Sequence, residues 1–280
     1  MNFRLAYSTS LARPELREMT NIYEFDPFQF AVVIGNPLLV NQLTRSADFR
    51  WEWFTRPGEV FSVSAFGKLI DHQLNKVFIY NSQGNQTVNP EFPIVEFQND
   101  PNQGKVYGLE FEARKDLGTL WEGLSHFFLG SNLMLAASVI DKNPQRLDAD
   151  RTNDRTSPAT SPVFEQAPYS ANAYLDYDNP RSATDVTVSF NIVGERLTQV
   201  QLDGTPDIYT RPAPVLDLVF SQHLGKRWLV KGYAKNILNP PIRDVYADPG
   251  NDGKFHGITY IHHQYYRGAE ITLGITYNLF

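Results

Sequence analysis

Two glutamates and two histidines are the pairs of residues best placed to do chemistry. Glu110 and Glu112 are two positions apart in a segment of alternating polarity, so both side chains lie on one face of a strand. Two such carboxylates could act as the acid and base of a glycosidase. In a barrel they would instead line a water-filled interior, and we favour that interpretation. His262 and His263 are adjacent, so on an extended chain they point to opposite sides and do not readily bind one metal ion.

Two oxygen-rich stretches could attract Ca²⁺. The first contains Asp148, Asp150, Asn153 and Asp154, and the second contains Asp248, Asn251 and Asp252. Neither has the spacing and final glutamate of a calcium-binding loop, so we interpret both as solvated turns. The sequence also lacks the motifs of serine hydrolases, zinc proteases, phosphate-binding loops and dinucleotide-binding folds. We therefore expect no catalytic residue, no bound metal and no cofactor, and we do not expect an enzyme.

Aromatic side chains in two long connections are the best candidates for ligand contact. Exposed aromatic rings can stack on a sugar, a siderophore or a peptide. The alternative is that these rings pack on one another between loops, and the sequence does not decide between the two. The candidates are Tyr23, Phe25, Phe28 and Phe30 in the first connection and Tyr260, His262, Tyr265 and Tyr266 in the last.

The alternation of apolar and polar residues predicts the elements that position these side chains. A period of two is the pattern of a β-strand with one apolar face. The clearest example is Val186, Val188, Phe190 and Ile192, which alternate with polar residues. Ten strands are predicted at about 3–8, 47–53, 61–65, 107–114, 125–140, 171–177, 186–192, 216–221, 228–237 and 271–277. In several of them the polar face carries ionised groups, so that face needs water.

The connections between these strands alternate between short and long. Short turns lie near 56–58, 118–123, 179–184 and 225–226, and long connections lie at about 14–43, 70–105, 142–167, 200–213 and 240–267. Outer-membrane barrels have short periplasmic turns and long extracellular loops, whereas loops of this length argue against a compact soluble domain. Aromatic girdles mark both membrane interfaces of such barrels, and here Trp51, Trp53, Trp121, Trp228 and Tyr277 lie near predicted strand ends. The pattern predicts an all-β chain that forms an antiparallel transmembrane β-barrel wall of about ten strands.

The composition argues against several other classes of protein. The 280 residues include no Cys, and 25 Lys and Arg against 31 Asp and Glu give a net charge of -6. The lack of Cys excludes a disulfide framework and thiolate metal sites, and the lack of a basic stripe argues against nucleic acid as a partner. No segment approaches the ~18 consecutive apolar residues of a membrane helix. Residues 1–14 lack the apolar core and cleavage site of a signal peptide.

Several motifs follow one another in a recognisable order. They are 2–19 (NFRLAYSTSLARPELREM), 35–37 (GNP) with 43–54 (LTRSADFRWEWF), 57–59 (PGE), 108–112 (GLEFE) and 234–239 (AKNILN). In this order and spacing they resemble the C-terminal part of the β-barrel of TonB-dependent outer-membrane receptors, over nearly the whole chain. The chain also ends in the aromatic Phe280, as outer-membrane barrels commonly do. The alternation that turns residues of the last strand toward lipid continues to Leu279 and not to Phe280. A β-bulge near the end of the strand would account for this difference.

The resemblance implies a plugged barrel of about 22 strands. Residues 1–280 would form a C-terminal segment of it, with the plug domain and signal peptide absent. The implied function is that of a receptor segment in the outer membrane of a Gram-negative cell, which forms part of the barrel wall and extracellular loops for energy-coupled uptake of a siderophore, saccharide or similar ligand. The implied partners are outer-membrane lipid, the small-molecule ligand and, through the missing plug, a TonB-type periplasmic coupling protein. The open alternatives are a soluble all-β binding module or adhesin, a small stand-alone barrel and a barrel enzyme.

Overall fold

Short helices and many strands make up the chain, of which the computed structural model describes residues 1–27, 30–79, 92–202, 204–246, 254–255 and 258–279. In chain order the strands are β1 (Asn2–Ala12), β2 (Tyr23–Asp26), β3 (Ala31–Ile34), β4 (Gln42–Trp53), β5 (Val60–Asp71), β6 (Leu74–Ile79), β7 (Ile94–Asn99), β8 (Gly104–Asp116), β9 (Phe127–Asp141), β10 (Thr160–Ser161), β11 (Tyr169–Asn179), β12 (Thr184–Val193), β13 (Arg196–Gln201), β14 (Ile208–Thr210), β15 (Val215–Leu224), β16 (Trp228–Lys235), β17 (Ile242–Tyr246), β18 (Lys254–Phe255), β19 (Ile258–Thr259), β20 (Ile261–Tyr265) and β21 (Glu270–Tyr277). The helices are α1 (Leu16–Met19) and α2 (Pro144–Asn153), with two 3₁₀ turns at Leu117–Thr119 and Glu122–Leu124. In the described ranges no helix is both long and apolar enough to cross a membrane.

Ten long strands form one antiparallel sheet, which we call the wall. Its order is β1-β4-β5-β8-β9-β11-β12-β15-β16-β21, so each strand pairs with the next wall strand along the chain. These are the ten strands that the alternation predicts, and the predicted antiparallel barrel fold is confirmed. Within the described part of the chain, β1 pairs only with β4 and β21 only with β16, so both edges of the wall are open.

The register of the wall gathers apolar side chains on one face, which we call the outer face. Leu5 lies opposite Phe49, Phe49 opposite Ala65, Ala65 opposite Leu109, and Leu109 opposite Leu135. Every second residue of a strand lies on the same face of the sheet. The same outer face therefore continues at every second position along each strand. These side chains stay exposed, with 45% of Phe49 and 44% of Leu109 accessible. A continuous apolar face of this kind is stable against lipid, as in a transmembrane barrel.

The opposite, inner face of the wall carries polar and ionised side chains that bond to one another across strands. The guanidinium of Arg50 donates to Glu52 at 2.9 Å and to Glu112 at 2.5 Å. On the neighbouring strand Asn132 donates to Glu110 at 2.5 Å. The two glutamates that could have formed a catalytic pair are therefore held by separate partners in a network across the inner face.

The long connections contain a second sheet, which the sequence analysis described only as loops. Its order is β2-β3-β7-β6-β13-β14-β17-β20, and we call it the loop sheet. Two of its pairings, β3 with β7 and β6 with β13, are parallel. All the long connections except the third supply a short hairpin or pair of strands to it, which cannot bury its apolar side alone. The strands become stable by pairing between connections that are far apart in the sequence, and a single segment does not reveal that pairing.

The buried apolar residues lie in and under the loop sheet and not on the outer face of the wall. One cluster contains Ala31, Phe78 and Val95, all fully buried. A second contains Leu197, Val200 and Tyr209, and a third joins Ile70 and Val106 of the wall to Val163 of the third long connection. Hydrophobic burial therefore stabilises the loop sheet, whereas the outer face of the wall has no such core.

A buried carboxylate joins two of the short turns of the wall. Glu59, between β4 and β5, is 2% exposed. It accepts a hydrogen bond from Lys115 Nζ at 2.8 Å and another from the hydroxyl of Thr55. The hydrogen bond from Lys115 is the main cause that lowers the pKa of Glu59 below its ordinary value.

Replacement of Glu59 by Gln is expected to reduce the loss of stability in acid. A carboxyl whose pKa is lower in the folded than in the unfolded state stabilises the fold above its unfolded pKa, about 4.3. That contribution is lost as the pH falls through the folded pKa. The urea midpoint in detergent should fall more for the wild type than for E59Q between neutral pH and about pH 3. Glu122 is exposed in the neighbouring turn, and Glu122→Gln is the control variant. Equal falls of the urea midpoint for the wild type and E59Q would contradict the prediction.

Candidate functional site

The aromatic residues predicted in the first long connection lie at one end of the loop sheet. Tyr23 and Phe25 belong to β2, and 49% and 46% of their surfaces are exposed. Phe25 packs edge-on against Phe30 at 6.4 Å and against Phe92 at 4.9 Å between ring centroids. Phe28 lies outside the described residues. The first group is thus a small aromatic cluster that keeps one face open to solvent.

The residues predicted in the last long connection lie on and beside β20, at the other end of the loop sheet. Tyr260, Tyr265 and Tyr266 are 49%, 40% and 58% exposed. His262 instead turns into the protein, where its Nδ1 lies 3.0 Å from the hydroxyl of Tyr246. Its ring also meets the buried ring of Phe78 at 6.4 Å. Three of the four side chains are therefore partly exposed, whereas His262 packs within the loop sheet.

The two predicted groups occupy opposite ends of the strand order of the loop sheet, since β2 is its first strand and β20 its last. The contact between Phe78 and His262 nevertheless joins β6 to β20, although three strands separate them in that order. The sheet must therefore curve to bring these strands together. The aromatic groups flank a curved surface, and the structure does not join them in one cluster.

Ionisable side chains from several connections gather on this curved surface. Burial lowers the pKa of Lys76 in β6, and the nearby carboxylates of Asp26 and Asp244 oppose that shift. Burial also lowers the pKa of His262, so its neutral form is favoured. Burial raises the pKa of Glu165, which belongs to the third connection. The cluster sets one lysine against three carboxyl groups and joins four connections electrostatically.

A cavity lies elsewhere, at the end of the inner face nearest the loop sheet. It has a volume of about 640 Å³ and is bounded by the ends of β12, β15, β16 and β21 together with the loop strands β14 and β17. Such a volume suits a ligand the size of a small metal chelate or an oligosaccharide. Its ionisable lining residues are Arg196, Arg211, Lys235, Arg267, Asp217 and Glu270.

Two of the four cations already have ionic partners, which leaves Lys235 and Arg267 in the cavity beside the carboxylates of Asp217 and Glu270. Arg196 pairs with Glu165 at 3.0 Å, and Arg211 pairs with Glu195. Lys235 lies over the ring of Tyr233 at 4.6 Å and, like Arg267, has no ion pair with the described residues. These two cations could pair with the acidic or electron-rich groups of a ligand.

Sequence reasoning missed this cavity because its lining residues are far apart along the chain. They come from positions between 191 and 270, and they lie near strand ends or in the connections between strands. The only signal in the sequence is the placement of basic residues at the extracellular ends of wall strands, as for Lys235. That signal has no meaning until the register brings the strand ends together.

The oxygen-rich stretches do not form a metal site in the part of the chain that the structure describes. Asp150 binds Lys142 Nζ at 2.6 Å, and Asp154 accepts from the backbone and hydroxyl of Thr156. No group of three or more acidic or histidine side chains is close enough to hold one ion among the described residues. Asp248, Asn251 and Asp252 lie outside the described residues, as does the side chain of Asn153.

A comparison with protein families gives one match. A family model described as "TonB dependent receptor-like, beta-barrel" matches residues 1–237. No curated protein matches the chain.

Solved structures with a similar fold include the siderophore receptor PirA and a mutant of the ferric enterobactin receptor PfeA, both from Pseudomonas aeruginosa, and the copper transporter OprC. For PirA the TM-score is 0.54 at 14% identity, with 99% of this chain and 39% of that chain covered. For PfeA the TM-score is 0.55 at 13% identity, with 98% of this chain and 38% of that chain covered. For OprC the TM-score is 0.57 at 11% identity, with 98% of this chain and 36% of that chain covered. At these identities the likeness shows the fold alone, and the chain spans less than two fifths of each of these proteins.

Proposed function

Because the chain belongs to the TonB-dependent receptor β-barrel family, we propose that it forms part of the wall and extracellular loops of an outer-membrane receptor for a small-molecule ligand. In this proposal residues 1–280 contribute ten strands to a C-terminal part of a wider barrel of about 22 strands. A plug carried by the same receptor closes the passage, and a TonB-type periplasmic protein supplies the energy that opens it. The chain itself performs no chemistry.

One observation carries this proposal, namely a wall with an apolar outer face and a charged inner face beneath a folded loop sheet. The outer face needs lipid, and the inner face needs water. A soluble all-β binding module or adhesin would have to bury the apolar face in a core. Leu5, Leu273 and Ile275 are 83%, 68% and 63% exposed, so no such core covers them among the described residues.

The cavity at the extracellular end of the inner face is the proposed ligand site. Lys235 and Arg267 would pair with acidic or electron-rich groups of the ligand, while Asp217 and Glu270 would accept from its hydroxyls. The exposed aromatic residues Tyr23, Phe25, Phe30, Tyr260, Tyr265 and Tyr266 would meet the ligand first, from above. A siderophore, a saccharide or a similar oxygen-rich compound fits this combination of groups.

Membrane fractionation tests the proposed location. The chain should stay with the outer-membrane fraction through a carbonate wash and dissolve only when detergent is added. Its migration on a gel should also change on heating, because a folded barrel wall resists denaturation by the gel detergent. A chain that is folded and soluble without detergent would overturn the proposal and favour the soluble binding module.

The proposed ligand site predicts different effects for two lysines on one strand. Lys235→Ala is expected to weaken binding at least about tenfold, as for a lost hydrogen bond from a charged group, which is worth about 1.5–3 kcal/mol. Lys231→Ala serves as the control, because Lys231 lies on the same face of β16 but outside the cavity. The measurement is calorimetric titration of the chain in detergent with a ferric tris-catecholate and a maltooligosaccharide as probes. Equal effects of the two variants on every bound probe would exclude this cavity.

A further inference from the structure

Ionised side chains on the outer face of the wall occur only at its two rims, as far as the described residues go. The register of the paired strands and the alternation of side chains along each strand show which residues lie on the outer face, and a few ionised groups are among them. At the periplasmic rim Lys115 is paired with Glu59. At the extracellular rim the groups lie on adjacent strands, and they are Arg45 on β4, Asp71 on β5, Lys105 on β8 and Asp141 on β9. The rest of the outer face is apolar or uncharged.

Arg45 and Lys105 lie at the level where lipid headgroups meet the wall. Both flank Leu69 in one cross-strand row, on either side of β5. Arg45 is about nine residues along β4 from Trp53 at the periplasmic end, which is the length a transmembrane strand needs. The row therefore marks the outer boundary of the hydrocarbon region.

The hydrogen bonds in this patch leave donors unused. Asp71 accepts from Arg45 Nη2 at 2.6 Å through one oxygen and from Gln103 at 2.7 Å through the other. Asp71 is therefore fully occupied and holds the guanidinium in place. Arg45 Nε is buried without a hydrogen-bond partner, whereas Lys105 is exposed and forms no ion pair with the described residues. Asp141 lies one row farther from the membrane, beyond Lys105.

A shallow groove runs from this patch toward the membrane interior. The row below contains Tyr7, Ala47, Gly67 and Tyr107 on four adjacent strands. The two small residues lie between two exposed tyrosines, and a Cβ added at Gly67 would contact nothing within 4 Å. Strands β1 and β8 are three strand spacings apart, about 14 Å, which leaves room for an acyl chain between the tyrosine rings.

We propose that this patch and groove bind one lipid of the outer leaflet through its phosphate. The ammonium of Lys105 donates to the phosphate oxygens beside the guanidinium of Arg45, and an acyl chain lies over Ala47 and Gly67. Charge complementarity selects the headgroup, because Lys105 is the one cation of this patch without an ion pair among the described residues, and it faces lipid. The site rests on the proposed membrane location but is independent of the ligand cavity on the other face.

Native mass spectrometry of the detergent-solubilised chain tests the site with two lipids that differ only in the phosphate. Dioleoyl phosphatidic acid is expected to remain bound, whereas dioleoylglycerol is not. Lys105→Gln should lower the occupancy of phosphatidic acid about fivefold, the effect of one basic residue near an anionic headgroup. Lys105→Arg, which keeps the charge, should restore it.

Lys68 provides the matched control. It lies next to Leu69 on β5 but on the inner face, over the ring of Phe66, so Lys68→Gln should leave the occupancy unchanged. Equal binding of the two lipids by the wild type, or equal occupancy in K105Q and the wild type, would overturn the site. If the chain still fractionates with the outer membrane in that case, the lipid site fails while the proposed location stands.

Discussion

Replacement of Arg146 by Ala is expected to release helix α2 from the loop sheet. Arg146 Nη2 donates to Asp207, and the two side chains are only 5% and 6% exposed. The other carboxylate oxygen of Asp207 accepts from the backbone N–H of Gln201 at 2.9 Å. Removal of one partner leaves the other charge buried without compensation, which costs about 3–5 kcal/mol. The pair connects the third long connection to the fourth, so the cost should fall on the extracellular part.

Hydrogen exchange of the amides in α2 measures this effect directly, because local opening sets their protection. We expect exchange in Pro144–Asn153 to be at least 100-fold faster in R146A than in the wild type, in line with a loss of about 3 kcal/mol. The N-cap bond from the backbone of Arg146 to Asn143 persists in this variant, since it does not use the side chain. The loss is therefore specific to the ion pair.

Arg151 on the same helix is the control for that experiment. Its guanidinium reaches only the backbone carbonyl of Ser157, at 3.4 Å, from an exposed position. Arg151→Ala should change the exchange rates little, as for surface polar contacts. Similar rates for R146A and the wild type would show that the buried pair does not hold the helix.

Replacement of Leu133 by Arg is expected to disturb insertion of the wall into the membrane. Leu133 lies near the middle of β9 on the outer face, where it pairs across strands with Phe111 and Ala171. An arginine on the lipid face at mid-membrane costs about 2–4 kcal/mol. The expected result is a lower fraction of heat-modifiable, membrane-inserted chain and a lower urea midpoint in lipid vesicles.

The neighbouring residue Asn132 provides a control on the opposite face. Its side chain donates to Glu110 on the inner face, so an arginine at this position would meet a carboxylate and water. Asn132→Arg is expected to insert almost as well as the wild type. If N132R were as harmful as L133R, or if both were harmless, the assignment of the two faces would be wrong.

The wall could be predicted from the sequence because its signal is local. Alternation with a period of two fixes which residues of a strand share a face, and this holds for the predicted strand at 186–192 as for β12 itself. The order of short and long connections then gives antiparallel neighbours. The aromatic candidates Tyr23, Phe25, Tyr260, Tyr265 and Tyr266 were also found locally, and they lie exposed in the loop sheet. Whether they contact a ligand stays a prediction.

The loop sheet, the inward turn of His262 and the buried pair of Arg146 with Asp207 could not be predicted in this way. Each depends on contacts between connections that are separated by dozens of residues, and the pairing of β6 with β13 is one example. Short β-branched runs such as 31–34 and 74–79 indicate strands, but they do not indicate partners. The cavity that contains Lys235 is of the same kind, because it exists only where several strand ends meet.

The sequence by itself therefore determined the ten strands of the wall, their order and the face that each residue occupies. These features follow from the geometry of an extended chain, in which successive side chains point to opposite faces of the sheet. They also follow because a surface that faces lipid must be apolar. Only the tertiary structure decided how the connections fold and which charges meet, as at Lys235 in the cavity and Lys105 on the outer face. Those features depend on cross-strand register and on long-range pairing, which no local pattern encodes.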